Sequence, residues 1–169
     1  MRLFSHFLNK LFILFSIKEI AMTFKHLTAA LALLAGAGLT HAADAEFYNK
    51  GNPPGRPFSL AVRTGDFVFV SGQMGTDDKG LVPGGFEAQS RKAMDNVSDI
   101  LKGMGLGMEN VVKCTIMIAD MGKWADFNKV YATYFKPGRL PARSAFGANG
   151  LALGGEIEVE CMAYAPANK

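Results

Sequence analysis

Arg143 has the setting in this chain that most invites chemistry. It follows Leu140, Pro141 and Ala142 and precedes Ser144 and Ala145, so a preset turn delivers one guanidinium among small side chains. Its planar fork of donors suits a carboxylate or a phosphate. The ordinary reading of a lone arginine is a surface ion pair, worth only ~0–1 kcal/mol. A second chemical feature is the alternation Glu156, Glu158, Glu160, whose ordinary reading is the acidic face of a strand paired with a lysine across the sheet. Histidine is informative by where it falls. His6, His26 and His41 all precede residue 43, so the domain beyond has no Ser-His-Asp triad, Cys-His pair or His-ligated zinc. Proton transfer there falls to carboxylates, lysine, tyrosine or water.

The first 42 residues read as a leader rather than as part of the fold. Residues 27–39 are an uncharged apolar run preceded by Lys25 and His26. Thr40 and Ala42 then stand at the two positions a signal peptidase reads. The run is short for a membrane span. The expectation is a secretory signal over residues 22–42, cleaved after Ala42, with residues 1–21 an upstream extension from a mis-set start codon. A retained signal anchor beginning at Met1 is the alternative, and Lys18 and Glu19 interrupt it. The product is expected in the periplasm or outside the cell, free of the membrane after cleavage.

Removing the leader changes the charge argument. Of the 18 basic and 15 acidic residues, four and one lie in residues 1–42, which leaves 14 of each. The net charge of +3 therefore belongs to the leader, and with it goes the case for nucleic acid as a partner. Two cysteines remain, Cys114 and Cys161, each inside an apolar strand-like run. Two buried thiols are expected, because free cysteine packs as a small hydrophobe. An oxidising compartment would also permit a disulfide.

Elements that could position Arg143 follow from periodicity. Residues 43–57, rich in proline and glycine, read as a flexible lead-in, with the domain proper over 58–169. Residues 58–62 read as a short strand, and residues 67–73 as a strong one that is apolar on both pleat faces. Gly72 within that strand suggests close approach of backbone or ligand. Phe86, Ala93, Val97, Ile100, Leu101 and Met104 form one helical stripe, ended by Gly103 and Gly105. Residues 111–118 return to strand. Asp120 reads as the N-cap of a second helix with stripe Trp124, Phe127, Val130, Tyr131 and Tyr134, where the first four are core and Tyr131 and Tyr134 are hydrogen-bonded phenols. Residues 156–163 alternate cleanly as a last strand.

Two amphipathic helices cover one side of one sheet, so the fold class is α+β, a two-layer sandwich of one mixed sheet with both helices on one face. The apolar residues of strand 67–73 that point the other way then need cover that a chain of this size does not hold, and another subunit is the economical source.

Taken together, the pieces resemble the RidA (YjgF-type) family of imine deaminases. The resemblance runs from Phe58 to Ala163. It is carried by Phe69-Val70-Ser71-Gly72-Gln73, Glu87-Ala88-Gln89 with Asn96, residues 111–115 leading to Asp120-Met121, Asn128-Lys129-Val130-Tyr131 with Tyr134-Phe135, Pro141-Ala142-Arg143-Ser144, and Ile157-Glu158-Val159-Glu160. The resemblance implies a chorismate-mutase-like fold, a homotrimer with sites in the clefts between subunits, and hydrolysis of reactive 2-imino acids to 2-oxo acids and ammonia with no metal or organic cofactor. It implies that Arg143 holds the substrate carboxylate and that Glu158 orients and deprotonates water. Gly72, Phe58 and Ala145 fall at the remaining substrate-binding positions, and Asn128 at a weaker one, where a structural role is the main reading and direct contact with substrate the alternative. Two residues depart from the family pattern: Phe58 stands where a tyrosine is usual and Ala145 where a cysteine is frequent, and both make the pocket more apolar. A non-catalytic protein that binds small carboxylates, or a holdase, could use the same clefts.

Overall fold

The computed structural model describes residues 44–166, and the expected leader and upstream extension lie outside the described residues. The strands are β1 (Glu46–Tyr48), β2 (Ala61–Thr64), β3 (Phe67–Met74), β4 (Thr76–Asp77), β5 (Gly80–Leu81), β6 (Val111–Ile118), β7 (Ala142–Gly147) and β8 (Ile157–Tyr164). The helices are α1 (Gly85–Gly103) and α2 (Trp124–Ala132). Six strands form one sheet in the order β1-β2-β3-β8-β6-β7, while β4 and β5 form a separate hairpin. Only β6 and β7 run parallel, joined by the crossover through α2, so the sheet is mixed. The α+β two-layer sandwich expected from the sequence is the architecture observed.

Periodicity explains which face is filled. Val68 and Val70 of β3, Ile157, Val159, Cys161 and Ala163 of β8, and Cys114, Ile116 and Ile118 of β6 are buried, each alternating with residues that are not. They meet Phe86, Ala93, Met94, Val97, Ile100 and Leu101 of α1 and Phe127 and Tyr131 of α2 in one core. The C-terminus of α1 is closed as the two glycines suggested. Gly105 turns left-handed at φ 76°, the Gly105 N–H donates to Lys102 O, and the Leu106 N–H donates to Leu101 O. Asp120 caps as expected, its Oδ1 accepting from the Gly122 N–H at 2.9 Å, although the turn it opens is a short 3-10 segment (Met121–Lys123) that leads into α2.

Four expectations are corrected. Residues 58–62 are not all strand: β2 begins at Ala61, and Phe58 lies in the bend before it. Side chains take the carbonyls a strand would share, since Asn52 Nδ2 donates to Phe58 O at 2.8 Å and Ser71 Oγ donates to Ser59 O at 2.7 Å. The lead-in is not free of structure either, because β1 within it pairs antiparallel with β2. Trp124 is 45% exposed and so is not core, since it stands at the first position of α2, before the helix settles onto the sheet.

The cysteines are the fourth correction. Cys114 and Cys161 face each other directly across the antiparallel β6–β8 pair, on the same face, and are joined as a disulfide. Sequence carries no separation between two strands, whereas register does. The link closes 47 residues of chain, which by the loop-entropy relation stabilises by about 4 kcal/mol. Replacing both cysteines by alanine should lower the urea unfolding midpoint and steepen the slope, because the chain without its cross-link exposes more surface when unfolded. An unchanged midpoint would show that the bond does not constrain the unfolded chain.

Candidate functional site

Two clusters hold the residues singled out by sequence, and they lie on opposite faces of the sheet. The first is built at the end of β3. Val70 pairs with Cys161 and Gln73 with Val159, so Ser71 and Gly72 together oppose Glu160 alone, a β-bulge. Bulges re-aim what they carry, and this one brings Gly72 against Glu158. A Cβ on Gly72 would overlap Glu158 Oε1, so any larger residue there would displace the carboxylate from this position.

The surrounding pins hold both strands in place. Asn96 of α1 donates to Met74 O at 3.0 Å and Thr76 O at 2.9 Å, fixing the exit of β3. Buried Gln89 accepts from the Glu156 N–H at 2.9 Å, fixing the entry of β8. The family-like positions Gln89 and Asn96 are therefore explained by what they hold rather than by contact with a ligand.

Glu158 differs from its two acidic neighbours. Glu156 forms an ion pair with Lys123, and Glu160 is exposed. Glu158 sits between Met74 and Met117 in the register and joins no ion pair among the described residues, so the cross-strand lysine of the ordinary reading is not there. Burial pushes its carboxyl above the ordinary carboxylate value, and the charge of Glu160 adds to that. Phe58 joins this cluster through the backbone. Ser59 O accepts from Ser71 Oγ and Leu60 O accepts from the Ser71 N–H, so the segment carrying Phe58 is tied to the bulge. The Phe58 ring is 45% exposed, with the Arg56 guanidinium 5.7 Å from its centroid.

The second cluster surrounds Arg143 on the face that carries the helices. Arg143 is the register partner of Cys114, whose side chain is buried beneath α2 and α1. Its Nη2 donates to Asn128 Oδ1 at 2.7 Å. The guanidinium lies 4.8 Å from the Tyr131 ring centroid and 5.9 Å from that of Phe127. It pairs with no carboxylate among the described residues, contrary to the ordinary reading of a lone arginine. An amide oxygen and two π faces hold the fork in place without neutralising it, as a carboxylate-binding arginine requires.

Tyr131 itself is no acid or base near neutrality. Burial pushes its phenol up to about 12, with the Arg143 charge acting the other way. Its Oη is buried with no hydrogen-bond partner, so the expectation of a satisfied phenol holds only for Tyr134, which bonds Asp95 Oδ1 at 2.8 Å. Ala145, two residues along on the same face as Arg143, lies opposite Ile116 and packs against the core.

The sheet thus joins Gly72 to Glu158 and Arg143 to Asn128 and keeps the two pairs on opposite faces, while Phe58 is tied to the first only through the backbone of its segment. Sequence reasoning missed the stacking role of Tyr131, read as core, and the bulge at Ser71-Gly72. The signal available for the bulge was the interruption of an apolar strand by Ser-Gly-Gln. No group of His, Cys, Asp and Glu among the described residues is arranged to hold a metal.

Known proteins resemble this chain over most of its length. The sequence profile of the Endoribonuclease L-PSP family matches residues 50–165. The 2-iminobutanoate/2-iminopropanoate deaminase of Mus musculus is 40% identical over 109 residues, 63% of this chain and 80% of that protein. A RutC family protein of Aquifex aeolicus is 40% identical over 116 residues, 68% of this chain and 93% of that protein. The crystal structure of RidA from an Antarctic Psychrobacter superposes with a TM-score of 0.62 at 31% identity, covering 66% of this chain and 91% of that one.

Proposed function

The chain belongs to the Endoribonuclease L-PSP (YjgF/RidA) family, and on that premise we propose that it is an exported homotrimeric hydrolase of small 2-imino acids, with each site shared between two copies. The supporting observation is the division of Arg143 from Glu158. One chain presents them on opposite faces of its sheet, so a single substrate meets both only where two copies adjoin.

The uncovered face favours such an assembly. Phe67 is 41% exposed, Phe69 43%, Tyr164 42% and Phe146 49%, and all project from the side of the sheet away from the helices. Fully burying a phenylalanine is worth about 1.5–3 kcal/mol, so covering these half-exposed rings contributes on the order of 1 kcal/mol each.

The chemistry follows from the two clusters. Arg143 of one copy grips the substrate carboxylate with parallel charge-assisted hydrogen bonds, which fixes the imine carbon for attack. Glu158 of the adjoining copy takes a proton from water as its oxygen bonds to that carbon. The imine nitrogen receives that proton, giving a neutral carbinolamine. Glu158 then carries the carbinolamine hydroxyl proton to the nitrogen as the C=O forms and the C–N bond breaks, and ammonia leaves a 2-oxo acid. A carboxyl raised above its ordinary value is suited to both halves of that exchange. Phe58 and Ala145 lend the cleft apolar surface in place of a hydroxyl and a thiol, and Asn128 holds Arg143.

The nuclease sense of the family name finds little support in this chain, which carries balanced charge and no histidine after residue 42. The test is hydrolysis of 2-iminopropanoate and 2-iminobutanoate generated in the assay, followed by 2-oxo acid release. Turnover above the buffer rate is the expected result. A rate equal to buffer, with 2-oxo acids still raising the melting temperature, would transfer the reading to a carboxylate-binding protein.

A further inference from the structure

We infer that Gln73 is a positioning residue for this reaction, acting through the bulge rather than on the substrate; the inference rests on the reading above. Its Nε2 donates to two successive carbonyls, Ser71 O at 2.9 Å and Gly72 O at 3.1 Å, the two residues that the bulge sets against Glu160 alone. A bulge removes residues from the ladder that would otherwise hold them. One side-chain amide replaces that restraint at both positions.

Register places Gln73 opposite Val159, on the face that carries the helices, while Glu158 and the room left by Gly72 lie on the other. Gln73 therefore braces the bulge from behind, and Glu158 leans on its front. The brace also sets Ser71, whose hydroxyl and N–H hold Ser59 O and Leu60 O, so Phe58, Gly72 and Glu158 depend on one amide for their relative placement. A shift of about 1 Å in a group that positions a nucleophile can cost on the order of 10²-fold in rate.

The site divides labour in a way that makes this testable. Arg143 holds the substrate from another cluster, so loss of the brace should reduce kcat and leave KM nearly unchanged. Gln73 borders an open cleft of about 510 Å³, not the packed core, so a leucine of similar volume should be accommodated. Gln73→Leu is expected to fold and assemble like the parent, to lose about 10- to 100-fold in kcat, and to move the acid limb of the pH–rate profile as Glu158 changes surroundings. Parental kcat and an unmoved acid limb in a folded Gln73→Leu protein would overturn the inference.

A second measurement needs no variant. By NMR, both Gln73 side-chain amide protons of the intact protein should exchange with solvent more slowly than those of a glutamine in an unstructured peptide under the same conditions. Exchange at the peptide's rate would equally overturn the inference. If the parent protein has no imine hydrolysis to lose, the proposed function fails, and the exchange measurement still decides whether the brace exists.

Discussion

Replacing Arg143 by alanine is expected to lower kcat/KM for 2-iminopropanoate by about 30- to 5,000-fold. That range converts the ~2–5 kcal/mol lost when one partner of a buried, hydrogen-bonded charge pair is removed. The size of the effect follows from how the residue is held. Asn128 occupies one donor of the fork, and the rings of Tyr131 and Phe127 support its plane, with no acid among the described residues to compete for its charge. Arg143→Lys should fall between parent and alanine variant, because a point charge replaces a fork that can make two parallel bonds. Steady-state rates with 2-oxo acid release as the readout check both. Parental kcat/KM in Arg143→Ala would remove the guanidinium from the reaction altogether.

Glu158→Gln should separate activity from stability. Removing the proton acceptor is expected to cost about 10²–10⁴-fold in kcat. Stability should move the other way. Burial, aided by Glu160, raises the Glu158 carboxyl in the folded state, so the folded protein favours the neutral form. A group raised by folding contributes stability that is present below its unfolded value, ordinarily near 4.3, and lost as pH climbs through its folded value. Above that window the parent carries a partly buried carboxylate with no cationic partner, and the amide variant does not. Glu158→Gln should therefore melt higher than the parent near pH 7, with the gap closing as pH falls below the carboxylate range. A lower melting temperature at neutral pH would mean that the ionised carboxylate is stabilised in the fold.

These effects depend on features of unequal legibility in the sequence. The sandwich was readable because burial follows period: the stripes of α1 and the alternation of β8 name their buried faces directly. Gly72 was readable as a place of close approach, and what approaches it is Glu158. Three features were not readable, each for a physical reason. The disulfide depends on the β6–β8 register, which pairs residues 47 apart in the chain. The start of β2 was displaced from 58 to 61 because Asn52 and Ser71 take carbonyls that propensity assigns to a ladder. Trp124 looked like core because a helical stripe does not show where the helix meets its sheet.

The same limit applies to the site. A motif gives residue types in order, and it took strand pairing to show that Arg143 and Glu158 face away from each other within one chain. Asn128 was legible as a structural more than a substrate-contacting residue, but its partner was not, and the structure shows that partner to be Arg143.

The central claim is that each site is assembled from two copies, and complementation tests it most directly. Arg143→Ala and Glu158→Gln proteins, each inactive alone, are unfolded together in equal amounts and refolded, with native mass spectrometry verifying that the subunits have mixed. If Arg143 of one copy works with Glu158 of the next around a closed ring, random mixing makes about a quarter of the sites fully equipped, and roughly that fraction of parental kcat should return. If both residues serve the same site from one chain, no mixture can contain an intact site. Activity that stays at the level of the separate variants in verified mixed oligomers would contradict the account.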